Sequence, residues 1–226
     1  LFADFSWNDA VYLRFGKQTV KWGVGYFFSP ADVINLGEID IQDPTAQREG
    51  PVALRVHCPV PGTQTNLWAY AVLPQVEKDL KPEDVAFATK AEFLAASSWE
   101  IGVGGWYRYD KAPKAVLTAS GSVRKVSVFG EAVASWGSDK TFVTDVDTLP
   151  PDYVTTTKYD DKLFFSGTLG GYYYDADREL IIAAQYFYNG DGYSDADREA
   201  LIQDARDNYD TIATALGSDA AASALL

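Results

Sequence analysis

The chain has 226 residues, a net charge of −13 and a pI near 4.4, an acidity that excludes a nucleic-acid backbone as partner because that ligand demands a basic surface. One cysteine, Cys58, and one histidine, His57, exclude a disulfide framework, a cysteine-based zinc site and a multi-histidine metal site. With 14 Tyr, 12 Phe, 6 Trp and 18 Gly the composition suits an all-β protein, and no apolar run reaches the roughly 18 residues of a membrane helix.

In chain order, "LFADFSW" (1–7) reads as the tail of a strand already under way, which turns near Asn8 and Asp9. The next strand sets Arg14, Gly16 and Gln18 on one face and Leu13 and Phe15 on the other. Residues 23–50 then run for 28 positions without a strand pattern, and loops of that length usually have a function. Two placements stay open for it: folded into a lumen as a constriction, or packed on its neighbours as a surface lid. Gly23 and Gly25 permit a sharp turn, and Pro30 with Asp32 predicts a helix start. Residues 48–56 enter the following strand, and His57 falls on it as a lumen or surface residue.

Further on, 86–95 sets Phe87, Ala91, Phe93 and Ala95 against Lys90 and Glu92. In 99–110, Trp99, Ile101, Val103, Tyr107 and Tyr109 oppose Glu100, Trp106, Arg108 and Asp110. Residues 115–123 and 126–136 alternate likewise, Leu117 against Thr118 and Val126 and Ala132 against Ser127 and Glu131. Residues 180–189 place Leu180, Ile182, Tyr186 and Tyr188 opposite Gln185. A helix is predicted over 194–216, with Ser194 as its cap and acids in its first turn.

The predicted strands run to about 9–12 residues, longer than in most soluble sheets. Aromatics gather at their ends, and the connections alternate short (8–9, 59–63, 97–98, 123–125, 176–179) with long (23–50, 75–85, 138–160, 191 onward), broken only at 111–113. This combination predicts an all-β, antiparallel, up-and-down transmembrane β-barrel. Residues 1–226 read as one incomplete barrel domain of nine or ten strands, an internal piece of a larger barrel, with 191–226 as an extracellular loop carrying the helix. The rival is a soluble antiparallel sandwich, whose core would be richer in Leu, Ile and Val than these faces of Ala, Gly and aromatics.

The polar faces nominate Arg14, Gln18, Arg55, Lys90, Glu92, Glu100, Arg108, Glu131 and Gln185 as pore-lining, with His57 and Arg124 beside them. Each can equally brace the interior without setting selectivity, and the mixed signs predict neither anion nor cation preference. Glu92, Glu100 and Glu131 form a carboxylate group of the kind glycosidases use, but no nucleophile elbow, phosphate loop or dinucleotide motif accompanies it. The expectation is no catalytic residue, no cofactor and no enzyme activity. "YFYNGDGYSDADREAL" (186–201) resembles a calcium loop only in part: with Gly192 at the sixth position, Phe187 stands at the first and Arg198 at the twelfth. Asp191, Asp195 and Asp197 remain weak calcium candidates.

"LRFGKQTVKWGVGYFFSPADVINL" (13–36) resembles a pattern of porin-like outer-membrane barrels from bacteria with two membranes, through Arg14, Gly16, Lys17, Gln18, Trp22, Gly23, Phe28, Pro30, Asp32 and Asn35. Arg48, Gly50 and Arg55 extend it. The resemblance implies an outer-membrane location, a bilayer with a lipopolysaccharide-type outer leaflet as surroundings, and passive diffusion of small hydrophilic solutes. It makes Trp22, Phe28, Pro30, Asp32 and Asn35 candidates for a constriction. Two alternatives stay open: a non-conducting outer-membrane protein that binds a partner or polysaccharide through 138–160 and 191–226, and a soluble carbohydrate-binding sandwich. Nothing in the sequence bears on oligomeric state.

Overall fold

The computed structural model describes residues 1–34, 50–74, 81–96, 98–146 and 154–216; Asn35, Ser97 and the remainder of the predicted loops lie outside them. The chain divides into two compact units, one of residues 1–136 and 163–189, the other of 137–162 and 190–226.

The first unit is a single antiparallel sheet. Its strands follow one another in the chain: β1 (Phe2–Trp7), β2 (Val11–Lys17), β3 (Val52–Pro59), β4 (Asn66–Val72), β5 (Ala86–Ala95), β6 (Trp99–Tyr107), β7 (Lys114–Val123) and β8 (Val126–Trp136). The sheet is completed by β11 (Leu163–Asp175), paired to β8, and β12 (Leu180–Asn189). It is an up-and-down meander of ten strands in which β1 and β12 stand at the two edges, so it is not closed into a barrel.

Because each strand pairs with the next, the short connections all lie at one end of the strands and the longer ones at the other. The short turns demand left-handed backbone, the conformation that matches strand twist in tight hairpins. Asn8 (φ 52°), Asp9 (φ 51°), Ala96 (φ 48°), Arg124 (φ 57°) and Glu179 (φ 49°) supply it. Arg124 therefore belongs to the turn between β7 and β8.

The two faces of this sheet differ in what covers them. Residues 18–34 cross one face as an irregular strap. Val20, Trp22, Ala31, Val33 and Ile34 of the strap are buried against Ala53, Tyr70, Val72, Ala86, Ala88, Val116 and Val133, with Trp68 and Trp106 packed beside them. This is where the core sits. The opposite face carries Phe15, Leu54, Phe87, Val103, Leu117, Phe165, Leu169 and Ile182, all exposed, and no second sheet or helix of this unit lies on it among the described residues. Alternation predicts both faces, since side chains two apart share a side.

No helix begins at Pro30. The strap makes a turn there, the Asp32 N–H donating to Ser29 O (3.2 Å). The Ala31 N–H beside it donates to the distant Glu131 carboxylate (2.9 Å).

In the second unit, 138–160 is not the plain loop predicted. It holds an antiparallel hairpin of β9 (Thr141–Val146) and β10 (Val154–Lys158), with a bulge between Thr155 and Thr156. Its Thr-rich arms favour extended backbone, but they are too short and polar to announce themselves by alternation. Phe142 is buried between Tyr159 and Tyr193 (ring centroids 5.2 and 5.4 Å). Helix α1 (Asp195–Leu216) lies against β9. Ser194 caps it reciprocally: Ser194 Oγ accepts the Asp197 N–H (3.1 Å), and the Asp197 carboxylate accepts the Ser194 N–H (3.3 Å).

Candidate functional site: the sheet face beneath the strap

Three side chains from distant strands hold the strap. Glu131 of β8 is 5 % exposed and receives donors from four strap residues: Val24 N–H (2.6 Å), Gly25 N–H (2.5 Å), Ala31 N–H (2.9 Å) and the Ser29 hydroxyl (3.0 Å). Converging backbone N–H groups are what a buried carboxylate requires in place of water. Gln185 of β12 works through both ends of its amide. Its Oε1 accepts the N–H groups of Tyr26 (3.1 Å) and Phe27 (2.7 Å), while Nε2 donates to Phe28 O (2.5 Å) and to the Thr168 hydroxyl (2.5 Å). Lys90 of β5 is 5 % exposed and donates to Trp22 O (2.8 Å).

Glycine makes room for this. A Cβ on Gly102 would stand 2.7 Å from Lys90 Cε, and one on Gly104 would stand 3.2 Å from Trp22 Cζ3. The bare positions of β6 thus let the lysine and the indole lie across the sheet.

Beside the strap, β2 to β5 carry a linked set of rings and charges. Lys90 also pairs with Glu92 (Nζ–Oε1 2.8 Å), whose other oxygen accepts the Trp68 indole N–H (2.9 Å). His57 stacks on Trp68 (centroids 3.7 Å, planes 8° apart) and meets Asn66 Oδ1 through Nε2 (2.8 Å). Arg55 stands over the same indole at 5.5 Å. Register explains the set, because β3 and β4 place His57 opposite Trp68 and Arg55 opposite Tyr70. Further along, Arg14 binds Asp4 through two hydrogen bonds (2.6 and 2.8 Å) and lies over the Phe2 ring (4.3 Å). Gln18 is buried and donates to Ala53 O (2.8 Å), but its own Oε1 has no donor.

Of the nine residues nominated as pore-lining, Arg14, Gln18, Arg55, Lys90, Glu92, Glu131 and Gln185 meet on or beneath the strap face. Each is engaged with the strap or with a neighbour rather than free in an open channel. Glu100 shares that face but is exposed near a tight turn. Arg108 is not on a strand. It follows β6 and pairs with Asp110 (2.7 Å), an ion pair that holds the Asp110 carboxyl below the usual carboxylate range. Among the constriction candidates, Trp22 is buried, Phe28 stacks on Phe187 (5.4 Å, 15°) and Asp32 accepts the Trp22 N–H (3.4 Å). Pro30 sits in the strap's turn.

The weak calcium candidates are engaged otherwise. Asp191 accepts the Ser138 hydroxyl (2.6 Å) and faces Lys140, Asp195 pairs with Arg198 (3.3 Å), and Asp197 serves the helix cap. No cluster of potential metal ligands occurs among the described residues.

Sequence reasoning missed Trp68, Tyr70 and Asn66, although "NLWAY" alternates as plainly as the neighbouring strands. It also missed Asp4 and Thr168, which carry no local signal.

No protein-family model, curated protein or solved structure matches the chain.

Proposed function

We propose that the ten-stranded sheet is the wall of a porin-like outer-membrane barrel that passes small hydrophilic solutes, with the 18–34 strap as its internal constriction. The observation that carries this reading is the uncovered apolar face. It runs across all ten strands, and a water-soluble monomer rarely leaves so wide a contiguous apolar surface bare. Strand length agrees in half of the sheet: β5, β6, β7, β8 and β12 have 10, 9, 10, 11 and 10 residues, where a tilted membrane strand needs about 9–11, while β1 to β4 have 6, 7, 8 and 7 and β11 has 13. Trp99 and Tyr107 at the two ends of β6 stand eight residues apart, about 26 Å along the strand, which at a barrel strand's tilt spans about 20 Å of the roughly 25 Å lipid-facing band. A bilayer would also require partners for the outer backbone groups of β1 and β12, which stand at the open edges of this sheet.

The rival sandwich would need a second sheet over Val126 and Leu117, which are 40 % and 48 % exposed, and this unit contains one sheet. The non-conducting reading draws on the strap itself, whose many anchors favour a filled interior. Single-channel recording in planar bilayers decides between them. Defined conductance steps from the purified full chain support the pore. A chain that extracts only with detergent and yet never conducts supports the non-conducting protein. Recovery in the detergent-free soluble fraction overturns both.

A further inference from the structure

At the junction of strap and sheet lies a cleft of about 160 Å³, lined by Lys21 and Trp22 of the strap and by Arg55, Trp68, Lys90 and Glu92 of the strands. Its charges do not cancel. Lys90 and Glu92 neutralise each other at 2.8 Å, while Arg55 and Lys21 make no ion pair with a described carboxylate. Two donors in its wall are buried without an acceptor, Arg55 Nε and Trp22 Nε1. The Trp22 indole N–H comes near the Tyr70 hydroxyl but without hydrogen-bond geometry. Buried donors without partners cost on the order of 1–3 kcal/mol each, so a site that keeps both, one of them on the Arg55 cation itself, with Lys21 beside them is built to receive an acceptor from outside.

We propose that this cleft binds a small oxyanion, a carboxylate or phosphate group, with Arg55 and Lys21 supplying the countercharge and the Trp22 indole N–H a hydrogen bond. The volume suits a ligand of a few heavy atoms, since a water takes about 30 Å³. Glu92 does not exclude an anion because it is already shared by Lys90 and Trp68. The proposal rests on the cleft and not on conduction, so it stands or falls separately from the pore reading.

The test is calorimetric titration of the full chain in detergent with acetate and, separately, with inorganic phosphate, at ionic strength fixed by sodium chloride. Saturable one-to-one binding of either anion is expected, and the tighter of the two names the class. Arg55→Gln weakens it about tenfold or more, and Lys21→Gln about threefold or more, the loss of charge-assisted contacts. Arg108→Gln, outside the cleft, leaves it unchanged. Lys21 is exposed on the strap, so its variant still tests the site if Arg55→Gln fails to fold. Three results overturn the proposal: no saturable heat with either anion up to about 50 mM, a barely measurable affinity; wild-type binding by Lys21→Gln; or equal weakening by Arg108→Gln.

Discussion

Glu131 accepts the backbone N–H of Ala31 at 2.9 Å across one hundred residues of sequence. A carboxylate buried on a central strand is thereby bonded to the turn of an irregular segment from the other end of the sheet. That one acceptor, shared with Val24, Gly25 and Ser29, is what gives residues 18–34 a fixed path over the sheet.

Glu131→Gln removes the charge and turns two N–H donors toward a site already full of donors. Hydrogen bonds to a charged acceptor contribute about 1.5–3 kcal/mol, so local protection falls by a similar amount. Amide exchange at Val24, Gly25 and Ala31 is expected to accelerate about 10- to 150-fold, with little change in β6 and β7 amides. Exchange that stays at the wild-type rate would remove Glu131 as the anchor.

Gln185→Leu keeps side-chain volume but gives up both ends of the amide. It frees the Tyr26 and Phe27 N–H groups and Phe28 O. A neutral clasp of this kind contributes about 1–2 kcal/mol. Because Glu131 and Gln185 hold one segment, the double variant is expected to lose less than the sum of the singles, the mark of coupled sites. Strict additivity in chemical denaturation would show that the two ends of the strap detach independently.

Gly25→Ala attacks the strap through its own backbone. The added Cβ would fall 2.0 Å from Phe28 O and 3.2 Å from a Glu131 oxygen. The strap must shift, at about 1–3 kcal/mol, as overpacking usually costs. The expected result is loss of Trp22 burial, seen as a red shift of tryptophan emission, while the strand signature in circular dichroism persists.

The bare face gives a prediction whose sign depends on its surroundings. Val103 and Leu117 are directly opposed across β6 and β7, 49 % and 48 % exposed. In a bilayer, Leu117→Arg costs about 2–4 kcal/mol near mid-depth. On a sheet facing water the same change stays within about 0.5 kcal/mol. Unfolding titrations from phospholipid vesicles separate the two values.

Much of the sheet was legible because its information is local. Alternation in 86–95, 99–110, 115–123, 126–136 and 180–189 assigns side chains to faces, and the faces are those of β5 to β8 and β12, although β6 ends at Tyr107 and leaves 108–110 outside the sheet. The helix start at Ser194 was legible for the same reason, since its cap spans three residues. The strap's anchors were not. Lys90, Glu131 and Gln185 announce themselves as polar residues on a polar face, but their partners lie 68, about 100 and about 157 residues away and are backbone groups without a sequence signature. Pro30 misled because a helix start and an irregular turn accept the same residue. The β9–β10 hairpin was hidden by its short polar arms.

The most direct test asks what touches the bare face. With Cys58 replaced by serine, single cysteines at positions 115 to 119 of β7 are labelled with a nitroxide in the full chain reconstituted into phospholipid vesicles. Collision with oxygen dissolved in lipid is compared with collision with a water-soluble nickel chelate. A lipid-facing wall predicts a period of two: positions 115, 117 and 119 meet oxygen, and 116 and 118 do not. Labels at 115, 117 and 119 that respond to the nickel chelate instead would put water against that face and contradict the membrane wall.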